Sequence, residues 1–113
     1  KNLDKWYLGA RFLVLTSFFE GWPNVIVEAM SFKCPVIAFD CEYGPSEIIQ
    51  NNYNGILVNQ HDTKILTKEM LKLLSDNNFH KKLSQNAYIR AKAFKVDEIA
   101  IKWLYLLENQ KTS

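Results

Sequence analysis

The chain has 113 residues, 48% hydrophobic and 13% aromatic, which is a length for one small domain and a composition that argues against disorder. Fourteen Lys and Arg against twelve Asp and Glu leave a net charge of +2. That is too weak for a nucleic-acid binder, which needs a concentrated basic patch.

Leu3, Trp6, Tyr7 and Ala10 repeat at helical spacing, so residues 2–9 read as the end of a helix with Gly9 as its cap. Phe12, Leu13, Val14 and Leu15 follow as a short, uniformly apolar run. Such a run fits a strand covered on both faces, as in a parallel sheet. Next comes a loop with the acid Glu20 and a Gly21-Trp22-Pro23 break. Pro23 suits the first turn of a helix, where its missing N–H is not needed. Trp22, Val25, Ile26, Ala29 and Met30 keep i, i+3, i+4 spacing and define a buried face, which leaves Asn24, Glu28 and Ser31 on the opposite side. Two carboxylates, Glu20 and Glu28, thus flank one helix start.

Pro35 ends that helix and residues 36–39 form a second apolar strand, with a loop over 40–43. Gly44-Pro45-Ser46-Glu47 predicts another helix start, with Pro first and Glu in the first turn, continued by Ile48 and Ile49. Asn54-Gly55 is a turn. Ile56, Leu57 and Val58 make a third strand, and because the turn joins a helix to a strand it is not a hairpin. After Asp62, read as an N-cap, the chain is helical to its end. Three stripes mark this part: Leu66, Met70 and Leu73; then Phe79, Leu83, Ala87, Ala91 and Phe94; then Val96, Ile99, Ala100, Trp103, Leu104 and Leu107. Loops near 75–78 and at Lys95 are predicted between them. Positive charges gather from Lys81 to Lys102, read either as a solvated helix face or as a contact with an anionic membrane.

Alternating strands and helices predict an α/β fold: a Rossmann-like parallel sheet with flanking helices, incomplete at about three strands, with a helical C-terminal tail. In such folds ligands bind beyond the carboxyl ends of the strands. Ser17 and Glu20 follow the first strand and Asp40 to Gly44 the second, so both loops belong to one rim. Cys34 and Cys41 flank the second strand, roughly 20 Å apart if it is extended, which is beyond disulfide reach. They are read as reduced thiols and the compartment as cytoplasmic. His61 and His80 stand apart with no ligand cluster, so no metal is expected. No apolar run reaches membrane-spanning length, and no signal peptide is read.

Gly21 lets the backbone approach a ligand closely, and the helix that follows offers unpaired N–H groups and a positive dipole end. Donors from Trp22, Asn24 and Val25 suit a diphosphate, to which Pro23 contributes none. A carboxylate at Glu28 can accept two hydrogen bonds from a vicinal diol such as a ribose. Glu20 would face whatever the phosphates carry. Taken singly, Glu28 is a solvated helix glutamate and Glu20 an acid favoured by the helix dipole; only their order and spacing join them.

Together these residues resemble the E-x7-E signature of the retaining glycosyltransferases of family 4, the glycosyl transferases group 1, which have two Rossmann-like domains (the GT-B architecture). The likeness extends over Ser17, Glu20-Gly21, Pro23-Asn24, Glu28-Ala29-Met30, Pro35 to Ala38, Gly44 to Ile49, Asn54-Gly55 and Leu57-Val58. It implies that residues 1–113 are the later half of the C-terminal, donor-binding domain, with 96–113 as the terminal helix crossing to the N-terminal domain and its tail. It implies that Glu28 binds the ribose hydroxyls and that Glu20, the candidate catalytic residue, contacts the donor sugar near the reacting centre. Gly21, Trp22, Pro23, Asn24 and Val25 complete the donor-binding segment. The implied reaction transfers a sugar from a UDP- or GDP-sugar to a glycan or lipid-linked acceptor with retention of configuration, in cell-surface polysaccharide synthesis. No metal or other cofactor is implied.

The sequence departs from the family at Lys33, where Gly is usual at the helix C-terminus. A left-handed Lys costs on the order of 1 kcal/mol, unless the helix ends differently. The resemblance also places the Arg and Lys that neutralise the diphosphate, and the acceptor-binding N-terminal domain, upstream of these residues. The isolated chain is therefore expected to be inactive and at best a weak nucleotide binder. The alternative is a non-catalytic docking module that uses Trp103 and its apolar neighbours against a partner.

Overall fold

The computed structural model describes residues 10–17, 22–41 and 44–112, and beyond Phe94 only the backbone path. The predicted helix over 2–9, Glu20, Gly21 and Tyr43 lie outside the described residues, as do the side chains of the third stripe, Val96 to Leu107.

Strand β1 (Leu13–Leu15) leads to helix α1 (Trp22–Ser31), strand β2 (Val36–Asp40), a 3-10 turn (Pro45–Glu47), strand β3 (Ile56–Asn59), helix α2 (Thr63–Ser75) and helix α3 (Asn77–Thr112). The three described strands are parallel in the order β1-β2-β3. Leu13, Val14 and Leu15 pair with Val36, Ile37 and Ala38, and Ile37 to Asp40 pair with Ile56 to Asn59. The sheet is Rossmann-like and helices cover both faces, as the apolar runs predict.

Side chains alternate across each strand, so β2 serves two cores. Val36 and Ala38 pack with Ile26, Ala29 and Met30 of α1 and with Ala87 and Ala91 of α3. Ile37 and Phe39 pack with Ile56, Val58, Leu73 and Leu83, flanked by Leu66, Met70 and Phe79. The second sequence stripe is therefore divided. Phe79 and Leu83 belong to the α2 side and Ala87, Ala91 and Phe94 to the α1 side, because α3 passes from one face of the sheet to the other.

Helix α1 buries Ile26, Val27, Ala29 and Met30 and leaves Asn24 exposed. It ends in a Schellman arrangement: Cys34 N–H donates to Ala29 O at 3.0 Å and Lys33 N–H to Met30 O at 3.0 Å. Lys33 takes φ 60, so the strained, left-handed alternative is the one realised.

Two predictions are corrected. The helix expected from Pro45 through Ile49 is only the 3-10 turn Pro45–Glu47. Ile48 and Ile49 turn into the core instead, and asparagines compete for the backbone beyond them. Asn54 Oδ1 accepts from Gln50 N–H at 2.8 Å and Asn51 Oδ1 from Leu57 N–H at 2.9 Å. The loop expected at Lys95 is replaced by helix, since α3 runs unbroken for 36 residues. Residues 91–100 contain no Gly or Pro, and Ala, Lys and Glu all favour helix. The loop predicted near 75–78 narrows to Asp76, whose carboxylate accepts from Phe79 N–H at 3.0 Å.

Candidate donor-binding rim

Parallel order puts the end of every strand on one rim. Thr16 and Ser17 leave β1 there, both exposed; Asp40 and Cys41 leave β2, both half-buried; Asn59, Gln60 and His61 leave β3, all exposed. Helix α1 starts at the same rim and runs back along the sheet. Its N-terminal N–H groups lack intrahelical partners by geometry, and no acid in its first turn offsets the positive dipole end.

Of the predicted residues, Trp22 opens α1 and packs half-buried against the core. Pro23 is second and half-buried, Asn24 is exposed and Val25 half-buried. Glu28 is half-buried on the side away from Ile26 and Met30. It stands roughly 9 Å along the helix from Trp22 at 1.5 Å per residue. Ser31 Oγ donates to Glu28 O at 2.6 Å, which engages the backbone carbonyl and leaves the carboxylate to other donors. These five residues share one helix start, while Glu20 and Gly21 fall outside the described residues.

The loop after β2 is fixed by a tight turn in which Gly44 N–H donates to Cys41 O at 3.0 Å. A Cβ at Gly44 would lie 2.5 Å from Cys41 Sγ and 2.8 Å from Cys41 O, so only glycine fits. Arg90 of α3 supports the following turn from behind, donating from Nε to Ile48 O and from Nη2 to Glu47 O, each at 3.1 Å.

The sequence reading treated His61 as an isolated side chain. The fold instead places it on the rim formed by the strand ends, at φ 69 in the turn closed by Asp62 N–H to Asn59 O at 3.0 Å. Its ring is 6.3 Å from that of Phe39. The signal was available, since a third parallel strand must end on the same rim as the first two. Asp62 then caps α2, accepting from Ile65 N–H at 3.1 Å, as the spacing predicts.

Both cysteines are free thiols. Burial pushes the Cys34 thiol from 9.0 up to about 11, so it stays protonated at neutral pH. Among the described residues no grouping of three or more His, Cys, Asp or Glu could hold a metal ion, and no helix is long and apolar enough to cross a membrane. A groove of about 550 Å³ lies between residues 46–54 and α3, lined in part by Tyr53, Asn86, Ile89 and Arg90. It includes none of Trp22 to Glu28, so enclosure alone would have pointed away from the helix start.

A family model for glycosyl transferases group 1 matches residues 1–90. The chain is 34% identical over 113 residues to a Campylobacter jejuni "GalNAc-alpha-(1->4)-GalNAc-alpha-(1->3)-diNAcBac-PP-undecaprenol alpha-1,4-N-acetyl-D-galactosaminyltransferase", covering all of this chain and 32% of that protein. Among solved structures, a mutant of S. aureus TarM in complex with Fondaparinux, alpha-GlcNAc-glycerol and UDP aligns with a TM-score of 0.79 at 32% identity, over 91% of this chain and 21% of that one. The C-terminal domain of the glycosyl transferase group 1 family protein LpcC from Francisella tularensis aligns with a TM-score of 0.69 at 33% identity, over 78% of this chain and 45% of that one. The chain thus spans about a third or less of the curated relatives it matches. With the parallel α/β frame and the helix start that its rim presents, the chain belongs to the glycosyl transferases group 1 family, of GT-B type.

Proposed function

We propose that this chain is the later half of a donor-binding domain, in an enzyme that moves a sugar from a UDP- or GDP-sugar to a glycan or lipid-linked acceptor in cell-surface polysaccharide synthesis. The observation that carries this reading is Glu28, half-buried on the side of α1 away from Ile26 and Met30, roughly 9 Å along the helix from a first turn that holds no acid. In this reading the first-turn N–H groups near Asn24 and Val25 take the diphosphate, while the Glu28 carboxylate accepts from both ribose hydroxyls. Glu20 positions the donor sugar and stabilises charge as the bond to the leaving diphosphate breaks. Configuration at the transferred carbon is retained, and no metal is needed. Residues 96–113 carry the helix that crosses to the acceptor-binding domain. The TarM complex, solved with UDP, supports a uridine nucleotide. The free thiols of Cys34 and Cys41 support a cytoplasmic site.

The test is activity of the full-length protein on a nucleotide-sugar panel beside two variants. Glu28→Ala removes charge-assisted hydrogen bonds and weakens nucleotide binding on the order of 10- to 100-fold. Glu20→Ala lowers kcat more than it raises KM. An unchanged nucleotide Kd in Glu28→Ala would refute the ribose role. The isolated chain is expected to be inactive and to bind UDP weakly, because the family resemblance puts the Arg and Lys that neutralise the diphosphate outside these residues; sub-micromolar affinity by calorimetry would overturn that.

A further inference from the structure

The groove between residues 46–54 and α3 is held open by two clamps. Asn86 Nδ2 donates to Tyr53 O at 2.9 Å. One turn further along α3, Arg90 donates from Nε to Ile48 O and from Nη2 to Glu47 O, each at 3.1 Å. Side chains thus tie the segment to the helix at both ends of a space of about 550 Å³, within the range of small-molecule sites. A groove held by its own hydrogen bonds is pre-formed, so an occupant need not order it.

The wall that α3 supplies is amphipathic. Asn86, Ile89, Arg90 and Ala93 stand at i, i+3, i+4 and i+7, one face of the helix, and all line the groove. Ile89 is nevertheless 64% exposed, and Tyr53 on the facing segment is 50% exposed. An aliphatic chain and an aromatic ring are therefore offered to solvent beside amide groups. Gln50 lines the same segment as Tyr53, and the clamp on Asn86 uses its Nδ2 and leaves its Oδ1 to accept. Among the described residues, Glu47 and Arg90 are the only charged side chains lining the groove, and their charges are opposite.

This combination suits a neutral sugar. A pyranose has a face of C–H groups, which stacks on aromatic and aliphatic surface, and an edge of hydroxyls that both donate and accept. A phosphorylated ligand calls for converging cations, whereas here one guanidinium, already bonded to two carbonyls, is matched by one carboxylate. The position fits as well. Ser46 and Glu47 follow the Gly44 turn on the carboxyl rim, while Tyr53 stands just before β3 on the amino side. The groove therefore leads away from the candidate donor rim along roughly 10 Å of α3, from Asn86 to Ala93, the length of a disaccharide.

We infer that this groove is a saccharide subsite that holds units of a neutral glycan away from the reacting end, with Tyr53 and Ile89 as the stacking surface and Gln50 and Asn86 as partners for hydroxyls. The inference rests on the proposed transfer for the source of that glycan, but sugar binding here needs neither nucleotide nor turnover. A peptide segment of a partner is the competing occupant.

The experiment presents the full-length protein, without nucleotide, to an array of neutral and phosphorylated cell-surface oligosaccharides, and titrates the strongest neutral binder by calorimetry. Binding to neutral oligosaccharides is expected. Tyr53→Ala should weaken it about five- to tenfold through lost stacking, and Ile89→Ser should act in the same direction. Tyr53→Phe keeps the ring and should stay within about twofold. The unfolding midpoint should not move in either Tyr53 variant, because the bonds Tyr53 makes to Gln50 O and from Asn86 Nδ2 use its backbone. Full-strength binding by Tyr53→Ala would put the glycan elsewhere and overturn the inference. A blank array also overturns it, in favour of a peptide, as does binding confined to phosphorylated glycans. UDP affinity, measured alongside, should be equal in wild type and Tyr53→Ala; if UDP does not bind while the glycan does, the donor reading falls and the subsite stands.

Discussion

The two rims of this small sheet are built differently. At the amino rim, contacts are fixed by backbone and closed by geometry. Arg11 donates from Nε to Leu73 O at 3.0 Å and from Nη2 to Asn77 Oδ1 at 2.6 Å, while His80 Nε2 lies 2.7 Å from Arg11 O. Leu13 N–H reaches Pro35 O at 2.8 Å, and Gly55 is wedged between strands. At the carboxyl rim, Ser17, Asn24, Asn59 and His61 are exposed, with few partners of their own. On the proposed reading, stability resides at one end and chemistry at the other, as expected when a scaffold holds a polar site on its strand ends.

That difference is tested first at Gly55. A Cβ there would sit 2.9 Å from Ile49 Cγ2 and 3.1 Å from Val36 O, and the carbonyl belongs to the core strand and cannot yield. Gly55→Ala should therefore destabilise by about 2–3 kcal/mol, read as a lower urea midpoint at constant slope. A change below about 0.5 kcal/mol would mean the amino rim is less fixed than its contacts show.

Arg11→Ala comes next. It removes two hydrogen bonds from a charged donor and loosens the junction of α2 and α3, at about 1.5–2 kcal/mol. Hydrogen exchange should rise at Leu73 to Asn77 and stay unchanged at Trp22 to Met30, and equal acceleration in both segments would erase the distinction between the rims. Lys33→Gly changes sign within the same rim: removing a left-handed side chain should stabilise by about 1 kcal/mol, seen as a raised Tm.

The strands were legible in the sequence because apolar runs and their stops agree. Val36 to Phe39 lies between Pro35 and a polar loop, and Asn54-Gly55 announces β3. Helix α1 was legible for the same reason, although Val27, left off the expected face, is buried while Val25 and Glu28 are both half-buried. What misled was punctuation. Gly44-Pro45 opens a helix in general, but Ile48 and Ile49 had a core to fill and the asparagines after them took the backbone groups. The stripes of α3 were divided by an imagined loop at Lys95, although no residue there breaks a helix. The real change of partner, from the α2 core at Leu83 to the α1 core at Ala87, falls inside the second stripe, where periodicity alone did not show it. The rim was half legible. Two strand ends were found from their loops, while the third, with His61, followed only from the order of the sheet.

The smallest expected effect is the most demanding check on the comparison. Asn59 closes β3 opposite Asp40, and its side chain is exposed. Its backbone carbonyl accepts from Asp62 N–H at 3.0 Å, a bond that truncating the side chain leaves intact. Asn59→Ala should thus change stability by no more than about 0.5 kcal/mol. It stands on the same rim as the start of α1, so if the donor spans all three strand ends the same variant should alter nucleotide-sugar KM in the full-length protein. If Asn59→Ala instead costs as much as Gly55→Ala, the carboxyl rim is structural too and the division of labour fails. If stability and KM are both untouched, the donor lies along α1 and β2 alone, and the site narrows to Trp22 through Glu28 and the loop closed by Gly44.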